Sequence, residues 1–164
     1  MKQIFRAVKH IVLTHPEIEV VYPVHLSPAV RDCAARELGG VDRIHLIDPV
    51  DVEEMHNLIA RCHFVMTDSG GLQEEAPAMG KPVLVLRRET ERPEAVAAGT
   101  VKLAGVEYDH IVKLANELLE QPEIYEQMAH AVNPYGDGNA CRRIADAIEW
   151  YFGLRVQKPD NFQA

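Results

Sequence analysis

Residues 67–87 read TDSGGLQEEAPAMGKPVLVLR; they begin where one apolar run, CHFVM, ends and close on a second, PVLVL. Between the runs stand an adjacent pair of glycines, two adjacent carboxylates and a proline. An apolar run, a corner of small residues, a helix-length stretch and another apolar run spell strand, turn, helix, strand. Strands that are short, apolar and separated by helices belong to a parallel sheet covered on both faces.

Outward from this stretch the same alternation continues. Ahead of it, IFRAVKHIV sets Ile4, Val8, Ile11 and Val12 on one helical stripe. EVVYPV then reads as a strand, PAVRDCAAREL as a helix closed by Gly39-Gly40, RIHLI as a strand and DVEEMHNLIARC as a helix. Behind it, RPEAVAAG is a short helix ended by Gly99 and TVKLA a strand. From Tyr108 the pattern is helical, with Ile111, Leu114, Ala115, Leu118 and Leu119 in a stripe. CRRIADAIEWYF follows the turn-rich NPYGDGN as a second long helix. The expected fold class is α/β, a Rossmann-like doubly wound parallel sheet. One domain is expected over residues 1–156, with a polar tail over 157–164 that frays. One feature is odd: the chain opens on a helix, although a preceding strand would ordinarily supply the sheet face that it covers.

The 164 residues suffice for one domain with a true core. No apolar run approaches the roughly 18 residues that a membrane span needs, and the start lacks a signal-peptide core, so the chain reads as cytoplasmic. A formal charge of −8 argues against a general nucleic-acid binder. It leaves room for a local phosphate site, because backbone amides bind anions without net charge. Cys33, Cys62 and Cys141 are scattered and odd in number, as expected of buried or inert thiols in a reducing compartment.

In open α/β sheets, ligands bind beyond the carboxyl ends of the strands. FVMTDSGG is such an end. Gly70 and Gly71 let the backbone approach a ligand closely, and a helix starting near Gly71 would point its first amides and positive dipole end outward. Ser69 adds a hydroxyl, and the combination suits a diphosphate. Glu75 lies one helical turn beyond Gly71 on the same face, while Glu74 is rotated about 100° away. A carboxylate one turn from a diphosphate can accept hydrogen bonds from vicinal hydroxyls such as those of a ribose. The plainer alternative stays open: Asp68 or Ser69 caps the helix, and the acids favour its dipole. Arg87, Arg88 and Arg92, in RRETERPE, lie at the same sheet edge; they either grip phosphate oxygens or pair with Glu89, Glu91 and Glu94. His25, in YPVHLSP, follows a strand and could face the same cleft. The other seven histidines read as surface or packing residues without metal spacing, and NPYGDG as a tight turn.

Taken together, YPVHLSP, RIHLIDP, TDSGGLQEEAPAMGKPVLVLR, TERPEAVAAGTVKLAG and NPYGDGNA, in this order, resemble the carboxyl-terminal half of the non-hydrolysing UDP-N-acetylglucosamine 2-epimerases. The resemblance runs from near Met1 to about Tyr151. It implies one half of a glycosyltransferase-B-like fold, in which two Rossmann-like domains hold a nucleotide sugar between them. It also implies interconversion of UDP-GlcNAc and UDP-ManNAc, by elimination and re-addition of UDP, for cell-envelope polysaccharides. Neither a metal nor a redox cofactor is implied. Carried over by motif, Ser69, Gly70 and Gly71 contact the diphosphate, Glu75 the ribose and Arg92 the ligand; Val50 and Met55 line the uracil pocket. Methionine stands at position 55 where the family often has an aromatic residue, and Ser27 stands where asparagine is common.

The family's acidic catalytic residues belong to its amino-terminal domain, and its HRREN segment to a strand that would precede Met1. No catalytic residue is therefore assigned within these 164 residues. The chain is expected to be a truncated product, a dissected domain or half of a split gene, in the last case with its missing amino-terminal domain on a separate chain. Alone it is expected to bind UDP weakly and not to epimerise, whereas the full-length family forms homodimers. Two alternatives remain: the donor-binding half of a UDP-sugar glycosyltransferase, and a non-catalytic nucleotide-sugar-binding fragment.

Overall fold

A computed structural model describes residues 1–161. Its elements alternate as the sequence predicts: α1 (Lys2–Thr14), β1 (Val20–Pro23), α2 (Pro28–Leu38), β2 (Ile44–Ile47), α3 (Val52–Arg61) and β3 (Val65–Thr67). Then follow α4 (Gly70–Ala78), β4 (Val83–Val85), α5 (Pro93–Ala98), β5 (Val101–Leu103), α6 (Tyr108–Glu120), α7 (Pro122–Ala129) and α8 (Ala140–Tyr151). The helical stretch after Tyr108 is broken once more than its stripe suggests. Pro122 has no amide hydrogen to continue α6, so it opens α7 instead.

Every strand pair is parallel. The strands do not form one continuous sheet, however: β1 pairs with β2, and β4 lies between β3 and β5 in a separate three-stranded sheet. Among the described residues, β1, β2, β3 and β5 each keep one edge without a strand partner. Both faces of the second sheet are covered. Leu84 of β4 belongs to a core shared with Ala7 and Ile11 of α1 and with Ile111, Ala115 and Leu118 of α6. Its neighbours Val83 and Val85 point the other way, into a core with Ile59 of α3, Ala76 of α4 and Ala95 of α5. The period of two along a strand makes this division, which is the doubly wound arrangement.

The opening helix joins the two sheets. Phe5 and Val12 of α1 pack with Ala34, Leu38 and Ile44 around the first sheet, while Ala7 and Ile11 reach the second. Ile4 touches both cores. The end of α1 is held by Arg43, a residue with φ of 64°. Its guanidinium donates to the carbonyls of Val12, His15 and Ile18, so carbonyls left open by the helix end find a charged donor.

The amphipathic α8 forms as expected, but none of its residues is buried. Ile144, Ile148 and Tyr151 are exposed, as are Phe152, Leu154 and Val156 beyond it. Cys141, on its first turn, is exposed too, whereas Cys33 and Cys62 are half-buried. Of the polar tail, Lys158 lies 5.5 Å from the Trp150 ring centroid; residues 162–164 lie outside the described residues. Among the described residues, no helix is long and apolar enough to cross a membrane.

Candidate functional site

β3 ends at Thr67, and α4 begins three residues on, with Ser69 as its N-cap. Two residues of loop suffice because the Thr67 hydroxyl accepts from the Ser69 amide at 3.0 Å and tightens the turn. The capping alternative does not hold here. Among the described residues no side chain bonds to the first turn of α4. The contrast with α3 is informative. There Asp51 accepts from the Glu54 amide and Glu54 reaches back to the Asp51 amide, a complete capping box. The helix that opens on two glycines keeps its leading amides available, so it can receive an acceptor from outside the chain.

Glu75 lies where the helical period puts it. A Cβ placed on Gly71 would stand 3.4 Å from one Glu75 carboxylate oxygen. The other oxygen is 3.1 Å from Nε2 of His56, which fixes the side chain toward α3. Glu74 faces elsewhere and meets Nε of Arg92 at 2.5 Å. This bond, with the Glu74 charge behind it, raises the arginine's pKa further above its ordinary value. Arg92 thus sits at the start of α5 with its side chain turned back to α4.

The other two arginines are also paired. Arg87 bonds Glu91 at 2.6 Å, and Arg88 bonds Glu107 at 2.9 Å. Glu91 matters because a Cβ placed on Gly70 would lie 2.7 Å from its carboxylate. Its own backbone amide and then the Arg87 charge hold that carboxyl below its usual range.

Val50 is half-buried just ahead of the α3 cap, and Met55 packs against the same core as Leu72 of α4. The His56–Glu75 bond ties the middle of α3 to the middle of α4. His25 stands at the carboxyl end of β1. Its ring is exposed, and Nδ1 accepts from the Ser27 amide within its own loop. Its strand is nonetheless near the corner: burial first, and the charge of Asp68 second, raise the pKa of Tyr22 in β1.

Four participants escape a reading by motif. His56 was expected as a surface or packing residue, and only the contact between α3 and α4 reveals its carboxylate partner. Gln73 and Thr90 bond to each other at 2.7 Å across 17 residues of chain. Tyr135 of NPYGDG packs against the core beneath α5, and its hydroxyl is buried without a hydrogen-bond partner among the described residues. Only the helical spacing of Gln73 from Ser69 was visible beforehand. The corner is an open wall. Two concavities, of about 310 and 380 Å³, lie elsewhere, against α8 and beside Arg88 and His110.

A family model described as UDP-N-acetylglucosamine 2-epimerase matches residues 1–149. The chain belongs to that family. A curated UDP-N-acetylglucosamine 2-epimerase of Bacillus subtilis is 52% identical over 162 residues, which are 99% of this chain and 43% of the relative. Among solved structures, the S. aureus MnaA–UDP co-structure superposes with a TM-score of 0.92 at 46% identity, covering 99% of this chain and 44% of that one. The Neisseria meningitidis UDP-GlcNAc 2-epimerase, solved with UDP-GlcNAc, gives 0.85 at 46% identity, over 90% of this chain and 40% of that one. The chain therefore spans about 43% of the length of the curated epimerase it matches in Bacillus subtilis. Membership of the epimerase family displaces the glycosyltransferase alternative.

Proposed function

We propose that this chain forms the UDP-holding wall of a non-hydrolysing UDP-GlcNAc 2-epimerase and works with a portion equivalent to the rest of its relatives' length. The observation that carries this reading is the uncapped start of α4, with Glu75 one turn along the same face. The amides of Gly70 and Gly71 and the Ser69 hydroxyl take the diphosphate. Glu75, steadied by His56, takes the ribose hydroxyls, and Arg92 adds positive charge. Val50 and Met55 cover the uracil, the methionine thioether packing on a ring face. His25 borders the cleft from β1.

In the reaction the sugar's C2 proton leaves as the bond from C1 to UDP breaks, giving a glycal. UDP then adds back, with the proton returned to the opposite face. Negative charge grows on the diphosphate as it departs, and amides already aimed there stabilise it without reorganising. This chain's residues thus hold the leaving group; the groups that move the proton belong to the remainder of the assembly. The open edges of β1 and β3 are where a strand of that remainder fits, and the enzyme works in the cytoplasm as a homodimer.

Calorimetry with UDP tests the site. Ser69→Ala is expected to weaken binding about threefold to tenfold, and Glu75→Ala about tenfold or more, as for neutral and charged hydrogen bonds respectively. If both variants keep the parent affinity, the nucleotide binds elsewhere.

A further inference from the structure

Gln73 has no exposed surface, and it is the one residue of α4 that points a polar side chain into the protein's interior and satisfies it there. Its Nε2 donates to the Ser69 carbonyl at 3.2 Å, and its Oε1 accepts from the Thr90 hydroxyl at 2.7 Å. The Thr90 oxygen in turn accepts from the Arg92 amide at 3.0 Å. An unbroken path of hydrogen bonds therefore runs from the cap of α4 to the cap of α5.

Arg92 is held twice. Gln73 fixes its backbone through Thr90, and Glu74, the next residue of α4, takes its guanidinium. A buried amide costs stability unless both its ends are bonded, and a leucine would fill nearly the same space without that demand. What the amide adds is geometry, since a fully satisfied buried network admits few alternative arrangements. Without it, the loop from Arg87 to Glu91 could slide along α4, and Arg92 would lose its height relative to Gly70 and Gly71.

We propose that Gln73 is a positioning residue for diphosphate binding, acting through Thr90 to register Arg92 against the glycine corner. The inference rests on the UDP site proposed above. A small displacement of a charged group from its ligand weakens their interaction even when the fold is intact. Gln73 and Thr90 need not touch the nucleotide for this.

The test is a set of UDP titrations and thermal melts on the full 164-residue chain. Gln73→Leu and Thr90→Val are each expected to weaken UDP binding about threefold to tenfold, the worth of one hydrogen bond. Thr90→Ser, which restores the hydroxyl, should recover the parent affinity. In an Arg92→Ala background, Thr90→Val should have little further effect, because the group it registers is gone. A general loss of structure would not show that dependence. Should Gln73→Leu fail to fold, Thr90→Val, in a loop, carries the test alone. Unchanged affinity in Thr90→Val overturns the positioning role, and so does a loss that persists undiminished without Arg92; both leave the UDP site standing. Indifference of binding to Arg92→Ala removes the arginine and the inference together. If neither the parent chain nor any variant binds UDP, the site itself is wrong.

Discussion

At the residue scale, the corner is governed by what glycine omits and which carboxylates surround it. Gly70 has an ordinary negative φ, so backbone strain does not require it; its missing Cβ leaves room for the Glu91 carboxylate. That carboxylate would share its neighbourhood with an incoming diphosphate, and like charges repel. Glu91→Gln is therefore expected to tighten UDP binding by about twofold to fivefold, the range of an exposed charge interaction, in the same calorimetric titration. Because Glu91 is held below the usual carboxylate range, the advantage of the variant should persist down to about pH 5. An unchanged or weaker affinity would place Glu91 outside the ligand's field. The positions of Glu74 and Glu75 were legible in the sequence, since a helix turns by a known angle per residue. Their partners were not, because His56 and Arg92 arrive from 19 and 18 residues away along the chain.

At the scale of elements, alternation of strands and helices was readable almost throughout, because period and punctuation act over a few residues. The boundary at Pro122 and the exposure of α8 needed the fold. The corner before α8 is built by an ion pair: Arg143 meets both carboxylate oxygens of Asp137, at 2.7 and 2.6 Å. The Arg143 bonds first, and the Asn139 amide next, hold the Asp137 carboxyl well below its usual range. A group whose pKa falls on folding adds stability above its unfolded value, and the contribution disappears as pH drops through the folded one. Asp137→Asn is thus expected to melt at a lower temperature than the parent at pH 7. The gap should narrow steadily as pH falls below about 4, where the unfolded carboxylate begins to protonate. A gap independent of pH would mean that Asp137 acts through its shape and not its charge.

At the scale of the molecule, two features look outward. The first is the open strand edges of two sheets joined through α1, and the second is an apolar face on α8. Unpaired edges and exposed apolar surface both favour association with further protein. The wall that these elements frame is proposed to hold a leaving group, and no proton-transfer group is assigned to it. Incubating the 164-residue chain alone with UDP-GlcNAc should accordingly give no UDP-ManNAc above background. Turnover is expected when it is supplied with the complementary portion of a relative. Activity of the chain alone would place the catalytic acid and base within it.

Short-range chemistry in the chain was enough to specify the strand–helix order, the glycine corner and the register of Glu75, because each depends on neighbours within about one helical turn. Folding in three dimensions settled the rest: the division into two sheets, the uncapped start of α4, and the network joining Gln73, Thr90 and Arg92. Those outcomes depend on how distant elements pack, and no local periodicity encodes which side chains will meet there.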